Sequence, residues 1–435
     1  MKKLKVLIGL GAVLSCPLAL AEVSDAEIQA LRAQVEALTR RLDELERQNQ
    51  AMSRSLQQAE RSTADAPLPD APLPNSLDPR IVEAVTEHVD ASLAAVSWAE
   101  RLRWKGDFRY RYENIGVEGQ DDRNRSRIRA RTHLEAQVSP TVEVGVGLST
   151  GGDDPVSSNV TIGGGGSRKE IGLDLAYFDW SGLAGTHVLG GKFANFLVSP
   201  QKSGLLWDGD WRPEGLGVAW QNGTYFAQGL GTWLEGDSSG GTEFAWIAQA
   251  GVNLALGSGK LTFGAGYSQF DIAGQTPLYG EPDDFFGNSY VLDPLSGALV
   301  FAHDYHEAEA FAEYRITLGG RPLALFADYV VNTEASANDT GYLFGARYGS
   351  AKARGTWEAG WFYKELEADA VVGLLTDSDF GGGGTDARGH VFQGAYAFHD
   401  NWNFSLTYFL NETGLASGDP SDFDRLQLDL NFKYQ

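Results

Sequence analysis

The sequence holds a single cysteine, Cys16, close to the N-terminus. A chain processed beyond that point has no disulfide framework and no thiolate metal site. Long apolar runs are missing too. After the N-terminus no stretch of eighteen apolar residues occurs, which excludes a transmembrane helix. Positive charge is scarce: 35 Lys+Arg stand against 58 Asp+Glu, for a formal net charge of −23. That balance argues against nucleic acid as a partner. What is plentiful is glycine, at 53 residues, with aromatics at 11%.

The first residues, "MKKLKVLIGLGAVLSCPLALAEVSD", read as an export signal. Lys2, Lys3 and Lys5 form a charged n-region, an apolar h-region follows, and Ala19-Leu20-Ala21 is a cleavage site, so residues 1–21 are assigned as signal peptide. "VLSC" has a loose likeness to a lipoprotein box, but Pro17 follows the cysteine and the "ALA" site fits better.

Residues 24–60 carry heptads. Ile28, Val35, Leu42, Asn49 and Leu56 occupy one seam position, and Leu31, Leu38, Leu45 and Met52 the other. Spacing that alternates three and four is the signature of a left-handed coiled coil, expected over 22–62. Ser24 and Glu27 supply a capping box. Asn49 in the seam fixes register at some cost in stability. "RLDELE" resembles the Arg-x-x-x-x-Glu motif of three-stranded coils, with Arg41 and Glu46 flanking Leu42 and Leu45. The alternative is a lone amphipathic helix packed on a core. A proline-rich linker (63–80) and a short helix (81–102) are expected to lead into the next domain.

From residue 103 to 435 the period changes to two. "RWKGDFRYRYEN" sets Trp104, Phe108, Tyr110 and Tyr112 against Lys105, Asp107, Arg109, Arg111 and Glu113. "DRLQLDLNFKYQ", at the C-terminus, sets leucines against Arg425, Gln427 and Asp429. Such strands face two unlike solvents. About sixteen strands are predicted, an even number, starting near 104, 124, 141, 170, 186, 214, 223, 243, 259, 304, 321, 340, 353, 388, 401 and 422. Links after even strands are short, as at 139–141, 222–223, 257–259 and 399–401. Links after odd strands run long, as at 150–169, 197–213, 271–303 and 367–387. This parity points to an antiparallel outer-membrane β-barrel with both termini, and therefore the coiled-coil stalk, on the periplasmic side. A soluble antiparallel protein would turn its polar face outward and would not sort its loops by parity.

The most unusual strand is "RNRSRIRARTHLEA" (123–136), with an arginine at every second position. One arginine facing lipid at the bilayer midplane costs about 2–4 kcal/mol, so the run must face a wet lumen. Arg125, Arg127, Arg129 and Arg131, joined by Arg109, Arg111 and Lys192, are expected to form a basic wall. Glu307, Glu309 and Glu313, with loop residues Asp208 and Asp210, are expected to form an acidic wall facing it. A bland alternative is that these charges only keep the lumen wet.

The ladder strand, "LLWDGDWRPEGLGVAW" (205–220), "LALFADYVVN" (323–332) and "TDSDFGGGGTDARGH" (376–390) together resemble the trimeric outer-membrane porins of Gram-negative bacteria that carry an N-terminal coiled coil. The resemblance implies a sixteen-stranded homotrimer with a stalk below it, in contact with outer-membrane lipid and lipopolysaccharide and folded by the barrel assembly machinery. Gln435 departs from the aromatic terminus usual in such barrels, leaving Phe432 and Tyr434 to serve. The expected function is a passive pore for small hydrophilic solutes and ions, with no cofactor, no metal and no catalysis. Two other readings stay open: a structural tether with a plugged barrel whose stalk contacts peptidoglycan, and an outer-membrane hydrolase. "GLSTG" (147–151) matches a nucleophile elbow only formally, since Ser149 lacks a following helix pattern. "GDSSG" (236–240) has no fixed histidine partner, and "DGD" alone lacks the oxygens Ca²⁺ needs.

Overall fold

The computed structural model describes residues 101–236 and 243–435; the predicted signal peptide, coiled coil and linker lie outside them, as do most of "GDSSG" and all of the expected 81–102 helix except Arg101, which is in a turn, and Leu102, which opens the first strand. Sixteen long strands appear among the described residues. They are β1 (Leu102–Val117), β2 (Arg123–Ser139), β3 (Val142–Thr150), β4 (Ile171–Trp180), β5 (Thr186–Lys192), β6 (Glu214–Gln221), β7 (Tyr225–Glu235) and β8 (Glu243–Leu256). The second half is β9 (Gly259–Phe270), β10 (Tyr305–Leu318), β11 (Arg321–Asn332), β12 (Thr340–Gly349), β13 (Trp357–Leu366), β14 (Ala387–His399), β15 (Trp402–Thr413) and β16 (Ser421–Tyr434).

Each strand pairs antiparallel with its neighbour in sequence, and β16 pairs with β1. The sheet therefore closes and leaves no edge, the condition under which strands can lie in hydrocarbon. The period-two residues sort as their chemistry demands: Trp104, Phe108, Tyr110 and Tyr112 are exposed on the outside of β1, while Arg111 and Glu113 are buried inside. Links alternate in length. Those at 140–141, 257–258, 319–320 and 400–401 are tight, and those at 151–170, 193–213, 271–304 and 367–386 are long.

Two boundaries differ from the sequence reading, both for local reasons. β5 stops at Lys192 although the alternation continues through Phe196, because the opposing strand begins only at Glu214, after Pro213. A proline has no N–H to continue the ladder; instead Phe193 N donates to Pro213 O at 3.1 Å and the chain turns inward. β13 starts at Trp357, because Ala353–Thr356 form a turn closed by Thr356 N to Ala353 O (3.0 Å), with Gly355 at φ +79°. Small strands also arise within the long links: Val160–Thr161 folds back onto β2, and Tyr290–Leu292 pairs with Leu299–Phe301.

At the seam, Gly106 stands opposite Tyr434, and Phe108 opposite Phe432. The Tyr434 ring covers Gly106 so closely that any Cβ there would collide with its hydroxyl end and with Arg131 O. The Tyr434 hydroxyl in turn donates to Arg131 O at 3.1 Å. Overpacking this position should cost about 1–3 kcal/mol. Gly106→Leu is accordingly expected to lower the urea midpoint of the refolded barrel, and an unchanged midpoint would show that the seam can splay without cost.

The interior is not uniformly wet. Three long links bring apolar side chains inward: Phe193, Leu205, Trp207 and Trp211 from 193–213, Phe285 and Phe301 from 271–304, and Val371, Leu374 and Phe380 from 367–386. They pack on inward residues of β7 to β15, among them Leu230, Ile247, Phe270, Phe326, Phe362, Val391 and Phe409. Trp207 and Trp211 stack with centroids 4.9 Å apart. About half of the lumen wall thus carries a hydrophobic core, and the arginines of the ladder stand on the other side.

Candidate functional site

The charged side of the lumen is built by β16, β1 and β2. Their register sets Asp107 opposite Arg131, Arg109 opposite Arg129, Arg111 opposite Arg127, and Glu113 opposite Arg125. Arg111 also faces Asp429 across the closing seam. Two of these positions oppose arginine to arginine, which destabilises a sheet unless acids are interleaved. Acids are supplied from both directions.

From the wall itself, Glu113 is fully buried and serves three guanidiniums. It pairs with Arg125, accepts Nη2 of Arg425 at 2.7 Å, and lies 3.8 Å from Arg127. Asp107 binds Arg129 and Arg131 at 2.9 and 2.8 Å. Asp429 takes Arg111 in a bidentate pair at 2.7 and 2.9 Å.

From the loops come two Asp-x-Asp turns of the same construction. In Asp208-Gly209-Asp210, the Asp210 N–H donates to Asp208 Oδ1 at 2.7 Å. In Asp377-Ser378-Asp379, the Asp379 N–H donates to Asp377 Oδ1 at 2.9 Å. In each turn the second aspartate clamps two wall arginines. Asp210 pairs with Arg131 at 2.8 Å and Arg129 at 3.5 Å. Asp379 pairs with Arg111 and Arg425, both at 2.9 Å. The first aspartates lie at the junction between the two loops, where Ser378 N donates to Asp208 Oδ2 (2.9 Å) and Asp208 N donates to Leu375 O (2.7 Å). Lys364 of β13, fully buried, secures the same junction by donating to Gly204 O at 2.8 Å, with Phe380 beneath its ammonium.

Electrostatics distinguishes the members of each turn. Burial alone would raise Asp210, but Arg129, Arg131 and Arg212 outweigh it and hold its carboxyl down to about 2. Burial likewise opposes ionisation of Asp379, yet Arg425 and Arg111 keep it far below the usual carboxylate range. Asp208 has no arginine. Burial, then the charges of Asp377 and Asp210, push it up to about 8.

A third loop reaches the wall at Ser157–Asn159. Ser158 Oγ donates to Asp210 Oδ2 at 2.9 Å, Arg127 donates to Asn159 O at 2.9 Å, and Arg109 donates to the Asn159 side chain. Arg109 has no carboxylate within ion-pair reach among the described residues, and Arg127 has only its distant share of Glu113. The Nε atoms of both are buried without a partner.

The expected acidic wall across open water is not what these residues form. Asp210 docks directly on the ladder and Asp208 is buried behind it. Glu307, Glu309 and Glu313 point inward from β10 but lie under the loops: Glu307 accepts Ser268 Oγ at 2.7 Å and Val372 N at 3.0 Å, Glu309 accepts Gln249 at 2.7 Å, and Glu313 accepts both nitrogens of Gln201 at 3.0 Å. The physical reason is the apolar content of the loops, which draws them onto β7–β15 and covers that strand. Lys192 pairs with Glu214 at 2.7 Å on the adjoining strand, away from the ladder. Sequence reasoning overlooked Glu113, Asp107, Arg425 and Asp429 as site residues, although all share the inward register. Ser149 is the penultimate residue of β3, which runs into the 151–170 link, with no α-helix among the described residues to make an elbow.

Comparison with known proteins agrees with this architecture. No curated protein matches the chain. Among solved structures, OprB of Pseudomonas putida superposes with a TM-score of 0.53 at 15% identity, covering 79% of this chain and 97% of that one. OmpF of Salmonella typhi, solved with daunomycin, gives a TM-score of 0.48 at 13% identity over 77% of this chain and 97% of its own. At 15% identity the likeness to OprB is one of fold alone. The profile of the family described as "Putative porin" matches residues 116–292 and 292–434. With the closed sixteen-stranded barrel and the charged lumen already in view, the chain belongs to that porin family, as an outer-membrane β-barrel.

Proposed function

We propose that this porin is a passive, water-filled channel for small hydrophilic solutes and ions, with its narrowest passage along the arginine wall. The observation that carries the reading is the divided lumen. Apolar loop surfaces cover β7 to β15, whereas along β16, β1 and β2 they meet the wall through charges and hydrogen bonds. Water and ions follow the charged side. The wall retains surplus guanidinium charge at Arg109, Arg123 and Arg127, so anions are favoured beside it. Charges separated by more than about 8 Å are screened at physiological salt, so selectivity depends on the docked loops narrowing the gap.

In this reading the assembly is a homotrimer. Residues 22–62 form its periplasmic coiled coil, with the seam around Arg41, Leu42, Leu45, Glu46 and Asn49. Residues 63–80 are the spacer, a short helix follows it, and the barrel begins with β1 at Leu102. The heptad pattern and the short-link side of the barrel, where both ends of the barrel lie, support it.

Purified full-length protein in planar bilayers is expected to give stable ion-conducting steps in groups of three. One observation favours a second reading, a plugged barrel acting as a tether: the loops fill so much of the lumen with apolar side chains. An intact barrel with no conductance would overturn the channel and leave the tether.

A further inference from the structure

A cavity of about 460 Å³ opens at the long-loop end of the charged side, between the upper ladder and the 367–386 loop. Its lining is of two kinds. Arg123, Arg125 and Arg127 come from β2; of the apolar members, Phe286 and Leu374 come from the 271–304 and 367–386 loops, and Val117 and Phe423 from the neighbouring strands β1 and β16. The basic side is under-neutralised. Glu113 is the only carboxylate that Arg125 and Arg127 reach, Arg425 shares it, and Arg123 has no ion pair among the described residues. Arg127 Nε is buried with no acceptor, a donor left unsatisfied inside a cavity wall. Buried donors are nearly always paired in native structures, so an unpaired one calls for an acceptor. Asp121, Asp154 and Asp379 also border the space, with both oxygens of Asp379 already taken by Arg111 and Arg425. Asp154 opposes an anion less than its formal charge suggests, since burial pushes its carboxyl up.

The geometry points to a binding site for an organic monocarboxylate with a compact apolar body, its carboxylate on Arg127 and Arg125 and its body against Phe286 and Leu374. A hydrated inorganic anion would satisfy the guanidiniums but leave the apolar wall wet. A neutral apolar solute would leave the Arg127 donor unpaired. A carboxylate on an arginine pair gains charge-assisted, directional hydrogen bonds, and the cavity lies within the range of sizes that enclose small organic ligands. This inference rests on the channel reading only for its consequence, that such solutes pause at the wall before passing.

Benzoate is a suitable probe, with acetate (no apolar body) and benzamide (no charge) as controls. In planar bilayers, benzoate added on the long-loop side of the full-length protein should interrupt the chloride current in a saturable way, and neither control should do so at the same concentration. Arg127→Ala should raise the half-blocking concentration about tenfold, the loss expected for a charged hydrogen bond. Glu113 keeps Arg125 and Arg425 in that variant, so the barrel should still form. Leu374→Ala, which removes part of the surface offered to the ring, should likewise raise the half-blocking concentration of benzoate. Calorimetric titration of the detergent-solubilised protein with benzoate reads the site whether or not the barrel conducts. Bound benzoate in a silent bilayer would overturn the channel and uphold the site. Acetate as effective as benzoate, or benzoate binding unchanged by Arg127→Ala, would overturn the site.

Discussion

Asp379→Ala channels are expected to conduct more and fluctuate more than the native porin, in a barrel that still closes. Asp379 is the one carboxylate through which the 367–386 loop grips the wall, taking Arg111 and Arg425 together. Breaking a buried pair leaves charge uncompensated and costs about 3–5 kcal/mol. Here Arg111 keeps Asp429 and Arg425 keeps Glu113, so the cost should fall at the low end, about 3 kcal/mol. It should be drawn from the docking of the loop, because the strands lose no ladder hydrogen bond. Asp210→Ala should act likewise on 193–213, releasing Arg129, Arg131 and Ser158 together. The double variant is expected to be less than additive. The two loops also hold each other through Asp208, Ser378 and Leu375, so undocking one already weakens the other. Single-channel conductance with urea midpoints on the same three proteins checks this. Unchanged conductance in the double variant would mean that the apolar packing alone keeps the loops in place.

Conductance should also depend on pH in a direction that the loop junction dictates. The folded Asp208 carboxyl is raised to about 8 by burial and by Asp377 and Asp210. A raised acid binds its proton more tightly in the docked state, so its contribution to docking is fully present below the ordinary aspartate range. That contribution is lost as pH rises through about 8. Asp210, held down to about 2, behaves oppositely: its contribution is present above the ordinary aspartate range and is lost as pH falls toward 2. Docking is therefore tightest between these limits. Moving from neutral pH to above 8 should increase open-channel noise and mean conductance, and Asp208→Asn should flatten that rise while leaving the acid limb intact. A rise that survives Asp208→Asn would place the responsible group elsewhere.

The barrel was legible because its two signals are local. Period-two alternation needs only neighbours in sequence, and the parity of short and long links follows from chain order. The inward direction of the ladder was legible because an arginine facing lipid is too expensive for any other answer. The partners of the ladder were not legible. Glu113 and Arg425 meet only when the sheet closes, across 312 positions of sequence, and no pattern in either strand announces the other. The depth of Asp210 and Asp379 depends on loops whose backbone has no period. A clue was present: "LLWDGDW" sets two tryptophans and two leucines around its aspartates, a poor composition for a solvated outer loop. Weighing those apolar residues with the acids would have brought the segment inside, and would have placed Glu313 beneath its loop rather than in open water.

The closing seam has a consequence for the order in which the molecule is made. Arg111 and Asp429 stand 318 positions apart, so β1 waits for the very last strand before its charges are matched. Contacts so distant in sequence form slowly, because the loop between them must be ordered first. Until β16 arrives, β1 presents an unpaired backbone edge with Arg111 and Glu113 beside it, and Asp379 is the only carboxylate left to Arg111. A chain stalled before that point would carry this half-satisfied cationic strip uncovered. Arrival of β16 removes strip and edge in a single event.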